Sequence, residues 1–474
     1  MKTLIDSFVQ ILGSQNVLIK DDLKSKYVHI WKMNDGLDAL AYLTPRTTRE
    51  ISEICKLCSE CDQPIIVYGG LTNLVGSTET RGDEVIISME KMNAIKEVDT
   101  INRTITVQAG VILENAQIKA KDNDLLLPLN FGAKGSAQIG GIISTNAGGL
   151  RVLRYGMTRN LVLGLEAVKM DGTIISSMKK ITKDNSAYDI KQLFIGSEGT
   201  LGIITKAILK LTELPKSRNS AFLAFNSFEK VCDFLKYIDK GLAGSLSGFE
   251  LMWDSFYECI TADGNKCKPV LPHGYKYYVL IESMGADIDK DHQAMEDLLT
   301  TAMEKEMILD GVMASTASDL EWFWNIREDV SVINAACTVD QHFDVSAPIK
   351  AMGDYVDKIN IALMKTDGVN AVYSFGHIAD GNIHFIVDKE NNLTELKNKI
   401  NDIVYKPLTE LKGSVSAEHG IGLHKKAYLK LCRSAEEIEL MKTLKRTMDP
   451  KNLLNPGKVL DIKKALDNMN RAFT

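Results

Sequence analysis

The spacing of apolar positions changes several times along the chain, and each change marks an element. From Met1 to Leu12 the apolar residues recur with a helical period that includes an acid, Asp6, and no cleavage pattern follows. This predicts an amphipathic helix, neither a signal peptide nor a membrane span. After Pro45, Thr47 and Glu50 stand at capping-box spacing, and Ile51, Ile54, Cys55 and Cys58 follow at i, i+3, i+4 and i+7. That is the buried stripe of a helix. β-branched residues then lead from Gln63 to Val67 as a strand. Further on, residues 221–226, 277–283, 342–348, 371–377 and 383–387 read as strands, interleaved with helical stretches such as 227–238 and 292–305. The alternation predicts an antiparallel sheet with helices on one face.

Within this second region, residues 372–387 form two β-type runs joined at Asp380-Gly381, a favoured two-residue hairpin turn. Counting outward, Ala379 faces Asn382, Ile378 faces Ile383 and His377 faces His384. The two imidazoles would leave one face of the sheet with Cβ atoms roughly 5 Å apart. A segment from Gly413 to Gly422 brings Glu418 and His419 between glycines. Two readings stay open on spacing alone: an open two-His, one-carboxylate metal site, or a cross-strand pair beside an unrelated loop. Residues 322–331 read as one helix, with Arg327 and Ser331 on a shared face where they could meet one carboxylate; on the residues alone, an arginine in a surface ion pair is the commoner reading.

Composition narrows the function classes. The 474 residues are 45% hydrophobic and 25% charged, which predicts a multidomain globular enzyme. A formal charge of −6 with no long basic run argues against nucleic acid and against a polybasic membrane anchor. With no transmembrane-length apolar run, the expected location is cytoplasmic. Eight cysteines in a chain of this size do not make a disulfide framework. Cys55, Cys58 and Cys61 imitate the start of an iron–sulfur run, but the fourth ligand is missing and the first two belong to the helical stripe.

Three glycine-bearing loops carry the next signal. Gly69, Gly70, Thr72, Asn73, Gly76 and Ser77 follow the first β-branched strand. Residues 132–149 then hold six glycines in eighteen positions with Lys134 as the one charge before Gly149, and residues 195–202 add Gly196, Glu198, Gly199 and Gly202. Backbone N–H groups in such loops can cradle phosphate, although the spacing is not that of a dinucleotide-binding βαβ unit. Three of them in the first 205 residues point to a long phosphate-bearing ligand.

In this order, these segments resemble the FAD-binding oxidoreductases that share a flavin domain with vanillyl-alcohol oxidase and p-cresol methylhydroxylase (PCMH), in particular the D-2-hydroxyacid dehydrogenases. The similarity runs from Val67 through the tail at Asn455-Pro456-Gly457. It implies an α+β architecture: a two-part FAD-binding domain of PCMH type over residues 1–215, a cap domain with an antiparallel sheet covered by helices over 216–412, and a C-terminal segment, 413–474, returning to the flavin site.

Carried over by the resemblance, FAD contacts fall on Gly69, Gly70, Thr72, Asn73, Gly76, Ser77, Gly135, Ser136, Gly140, Gly141, Ser144, Asn146, Glu198, Gly199, Ile203 and Asn455. His377, His384 and Glu418 match ligands of one divalent metal, zinc, iron or manganese alike. His419 matches the catalytic base, Arg327 the carboxylate-binding arginine, and Asn382 is a further polar contact. Ser331 and His342 join Arg327 as substrate residues. His342 stands where hydroxyglutarate enzymes carry a Lys, which favours a short monocarboxylate. The first loop departs from relatives at Tyr68, Leu71 and Asn73. The implied reaction is oxidation of a D-2-hydroxy acid, D-lactate to pyruvate first, with D-2-hydroxyglutarate or a glycolate oxidase-type flavin subunit as alternatives. No nicotinamide fingerprint is present in the sequence, so the expected acceptor is an electron transfer flavoprotein, an iron–sulfur subunit or a quinone.

Overall fold

The computed structural model describes residues 2–462, and the chain divides into two compact units. One comprises Met1–Ala147, Met157–Leu214 and Glu418–Thr474; the other comprises Gly148–Gly156 and Pro215–Ala417. The excursion at Gly148–Gly156 was not legible in the sequence.

The first unit is built on a four-stranded and a five-stranded sheet. In the smaller one, Ile65–Tyr68 and Ala41–Leu43 run parallel to Val85–Ser88, and Val17–Leu18 adds an antiparallel edge. The larger is antiparallel, with Ile203–Lys210 between Thr104–Gln108 and Val162–Val168. Thr48–Glu60 is the helix expected from its capping box. Thr47 accepts from the Glu50 N–H, and the Glu50 carboxylate takes the Thr47 N–H in return. Its stripe of Ile51, Ile54, Cys55 and Cys58 is buried, and burial raises both thiols far above the usual range. These are core residues. A Cys55 thiolate would have to form fully buried and against the charges of Asp171 and Asp449, which is the wrong environment for a cluster ligand.

The second unit is a seven-stranded antiparallel sheet in the spatial sequence Asp310–Met313, Ser217–Phe225, Tyr277–Gly285, Leu246–Trp253, Val369–His377, Asn382–Lys389, Val339–Ser346. All five predicted strands are in it, together with two that were not read: Leu246–Trp253, buried throughout, and the short edge Asp310–Met313. Helices Phe228–Leu242 and Ile288–Glu304 cover the predicted stretches. An aromatic core of Phe222, Phe256, Tyr257, Tyr278, Phe323 and Phe375 packs one face.

Two local expectations are corrected. The hairpin is not a two-residue turn: Ile378–Asp380 form a 3-10 turn closed by Gly381 at φ +86°, so Phe375, and not His377, lies opposite His384. Gly376 permits this, because a Cβ there would run into the Asn382 carbonyl. The register moves by two residues, which preserves the face each side chain occupies. The helix carrying Arg327 also ends earlier than expected, at Glu328, and Asp329 leaves helical geometry before a new turn, Ser331–Ala336, begins. Arg327 is buried, whereas Ser331 is exposed and donates its hydroxyl to Asp329. The two do not share one helix face.

Candidate active site

Within the first unit, the three predicted loops come together with the returning tail. The Gly70 Cα lies so close to the Ser136 carbonyl that a Cβ could not fit, and the Gly69 position faces Gly141. Gly140 is also close-packed, and a Cβ there would meet Ala109. Beside this approach the Gln138 Oε1 is buried without a hydrogen-bond partner among the described residues, while Gly141 opens onto free space. A buried acceptor lacking a donor at a glycine-lined cleft fits a polar ligand with its own donors.

Most polar side chains predicted to hold FAD are engaged in building these loops. Asn73 Oδ1 accepts from the N–H groups of Val75 and Ser77, and its Nδ2 donates to Thr78. Asn146, at φ 52°, caps a helix and accepts from the Arg159 N–H; Ser144 donates to Gly140. Asn455 Oδ1 accepts from the Val67 N–H at 3.0 Å, and its Nδ2 donates to the Glu198 carbonyl at 2.8 Å. Glu198 is the knot of the arrangement. Its carboxylate accepts from the N–H groups of Ile421 at 2.7 Å and Gly422 at 2.9 Å and from Ser77 Oγ at 3.0 Å. Burial raises its pKa despite these donors. Of the other positions the resemblance assigned to FAD, Gly69, Gly70, Gly76, Gly135, Gly140, Gly141 and Gly199 offer backbone alone, Ile203 adds only an apolar side chain, and Thr72 and Ser136 add hydroxyls.

Within the second unit, one sheet face collects the other chemistry. Strand register puts Glu250 opposite His377, His384 opposite Phe375 and Asp344, and His342 opposite Ile386, all on the same side. The rings of His377 and His384 are 5.4 Å apart and nearly perpendicular, with ligating atoms within 4.8 Å of each other. Glu250 is the residue that sequence reasoning missed. Its buried carboxylate lies 2.8 Å from His377 Nδ1 and 2.7 Å from Arg327 Nη2. Burial would raise this acid, but His377 and Arg327 outweigh it and hold it below the usual carboxylate range.

Arg327, 4% exposed, stacks its guanidinium over Phe375 at 4.7 Å. Its Nε has no hydrogen-bond partner among the described residues, and neither has Asn382 Oδ1. Asn382 Nδ2 donates to Asp344, whose other oxygen accepts from Ser416 Oγ and the Ala417 N–H. Glu418 and His419 follow Ala417 directly in the chain. His342 is held by Asp340 at 2.6 Å.

Two family models match the sequence: the FAD binding domain over residues 39–177, and the C-terminal domain of FAD linked oxidases over residues 214–459. The chain belongs to the FAD-linked oxidase family. A mitochondrial D-2-hydroxyglutarate dehydrogenase of Danio rerio is 35% identical over 463 residues, covering 98% of this chain and 85% of its own. A Schizosaccharomyces pombe protein, provisionally named a mitochondrial D-lactate dehydrogenase, is 38% identical over 425 residues, covering 88% of this chain and 81% of its own. The solved structure of p-cresol methylhydroxylase with substrate bound superposes with a TM-score of 0.74 at 15% identity, covering 97% of this chain and 96% of that one. The PCMH-type fold expected from the sequence is therefore shown. No helix among the described residues is long and apolar enough to cross a membrane.

Proposed function

We propose that the protein is an FAD- and metal-dependent dehydrogenase of D-2-hydroxy acids, producing the 2-keto acid. The observation that carries this reading is the buried Arg327 guanidinium, whose Nε–H has no partner among the described residues, on the sheet face that holds two adjacent imidazoles. Leaving a guanidinium N–H dry and unpaired costs about 1–3 kcal/mol. A carboxylate accepting from it recovers that cost and supplies a second acceptor for Nη.

The donor set fits a divalent ion. Glu250 occupies Nδ1 of His377, which leaves Nε2 as the ligating atom, as expected where a carboxylate fixes a metal-bound histidine. His384 is the second ligand and Glu418 the third by resemblance; two imidazoles and one carboxylate suit zinc, iron or manganese. When bound, the ion supplies a Lewis acid for the substrate hydroxyl, and FAD supplies the two-electron acceptor. The chain's own residues do the rest. Arg327 holds the substrate carboxylate and so fixes which face of Cα is presented. Asn382 Oδ1 offers an acceptor to a substrate donor. His419 takes the hydroxyl proton, a role its imidazole can fill near neutral pH.

Two substrates have separate support. The 2.6 Å contact of His342 with Asp340 sets an acid where a second substrate carboxylate would come, which favours a short monocarboxylate such as D-lactate. The relatives named as D-2-hydroxyglutarate dehydrogenases favour the dicarboxylate. Electrons then pass to a protein or quinone acceptor, an electron transfer flavoprotein or an iron–sulfur subunit.

The test is anaerobic titration of the metal-replete, flavin-loaded protein with D-lactate, L-lactate, glycolate and D-2-hydroxyglutarate, following flavin absorbance. Bleaching by a D-2-hydroxy acid supports the reading, and the substrate that bleaches at the lowest concentration decides between the two. Bleaching by L-lactate alone, or by none, overturns it. Reduction of an artificial dye by the isolated chain separates a self-sufficient dehydrogenase from a subunit that needs its partner.

A further inference from the structure

We propose that Glu250 is a positioning residue that couples metal retention to substrate-anion capture, by orienting His377 and Arg327 with a single buried carboxylate. The inference rests on the metal assignment of His377 made above and adds a residue to which neither the sequence motifs nor the resemblance assigned a role.

Glu250 sits in the middle of Leu246–Trp253, a strand buried along its whole length, and is itself 1% exposed. An acid in such a place is tolerated only if its charge is matched. Its two contacts differ in kind. Register pairs it directly with His377, and the side chains meet at 2.8 Å through Nδ1. Across the same carboxylate, Arg327 Nη2 lies at 2.7 Å. With His377 neutral, as a metal ligand must be, Nδ1–H donates to Glu250, and the one negative charge balances the one guanidinium. The carboxylate therefore fixes the tautomer of His377 and aims its Nε2. It also restrains Arg327 through one nitrogen while the Nε edge remains unpaired.

An isosteric amide keeps the shape and cannot serve both partners at once. In Glu250→Gln the amide oxygen can serve only one of the two donors, and the NH2 group confronts the other. Outer-shell partners of metal-bound histidines are worth about 10–100-fold in affinity. Zn2+ affinity, measured on the flavin-loaded protein by competition with a fluorescent chelator, should fall within that range. KM for the substrate should rise in the same variant. Glu250→Asp keeps the charge but withdraws it by one methylene, and should fall between wild type and Gln.

If Glu250→Gln does not fold because Arg327 is left uncompensated, the double variant Glu250→Gln with Arg327→Met removes the stranded charge. Its Zn2+ affinity is then compared with that of Arg327→Met alone. Wild-type Zn2+ affinity in Glu250→Gln, or in the double variant relative to Arg327→Met, overturns the positioning role. If the wild type itself binds no Zn2+, Mn2+ or Fe2+, and His377→Ala changes nothing, the metal assignment fails first and the two failures are told apart.

Discussion

Glu198→Ala should loosen the glycine loops and the returning tail together, because one carboxylate satisfies donors from both. Truncation strands the Ile421 and Gly422 N–H groups, while the Ser77 hydroxyl can rotate to another acceptor. One buried and one half-buried donor without partners cost at most about 2–6 kcal/mol at about 1–3 each. Part of this is returned, since burial already penalises the charged carboxylate and raises its pKa, so the expected loss is in the lower half, about 2–4 kcal/mol. For a domain of this size about 2 °C is lost per kcal/mol, giving a melting temperature lower by about 4–8 °C. FAD should also be released at lower denaturant concentration, read by recovery of flavin fluorescence.

A second signature is the pH dependence of the same group. Because folding raises the pKa of Glu198, the folded state holds its proton more tightly than the unfolded chain does. That contribution is complete below the unfolded pKa and is lost as pH rises through the folded value. Glu198→Gln, which stays neutral like the protonated acid, should therefore match wild type most closely in acid and differ most at neutral pH, where the wild type has lost that contribution. An Ala variant that melts with wild type and keeps its flavin equally well would show that the loops are held by something other than this carboxylate.

Three further outcomes follow from other residues. Gly70→Ala should lose FAD affinity and about 1–3 kcal/mol of stability, since its Cβ would meet backbone of Ser136 and Ala137, whereas Gly132→Ala, with open space around it, should leave flavin content unchanged. Lys458, buried against the carbonyls of Gly76 and Glu79, is lowered by burial to about 8, with Glu79 and Glu84 opposing the shift. Between that value and its unfolded pKa the unfolded chain binds the extra proton, so stability should rise with pH across this window and Lys458→Met should flatten the slope in thermal melts. His419→Asn should keep flavin bound while abolishing its anaerobic reduction by substrate; reduction at the wild-type rate would sink its role as base.

How far the sequence could be read depended on how local each signal was. The helix Thr48–Glu60 was legible because its capping box and stripe lie within a dozen residues, and neither needs a distant partner. The imidazole pair was found on the correct face despite a wrong turn, because the true register differs by an even number of residues and side chains alternate with a period of two. A slip of one would have hidden it. The break after Arg327 was missed since Asp329, Val330 and Ser331 carry no Gly or Pro, and the helix end is marked only by an acid capturing a neighbouring hydroxyl.

Glu250 marks the limit of such reading. In Leu246–Trp253 it is the single charge in an apolar run, and apolar runs are read for their periodicity, in which one acid counts as a flaw. What makes it meaningful is His377, 127 residues away, and an arginine on a helix between them in sequence. A buried charge in a strand is stable only when matched. A lone Glu inside a continuous apolar strand therefore predicts a cationic or donating partner from elsewhere in the chain, and here Arg327 and the histidine-bearing hairpin supply it.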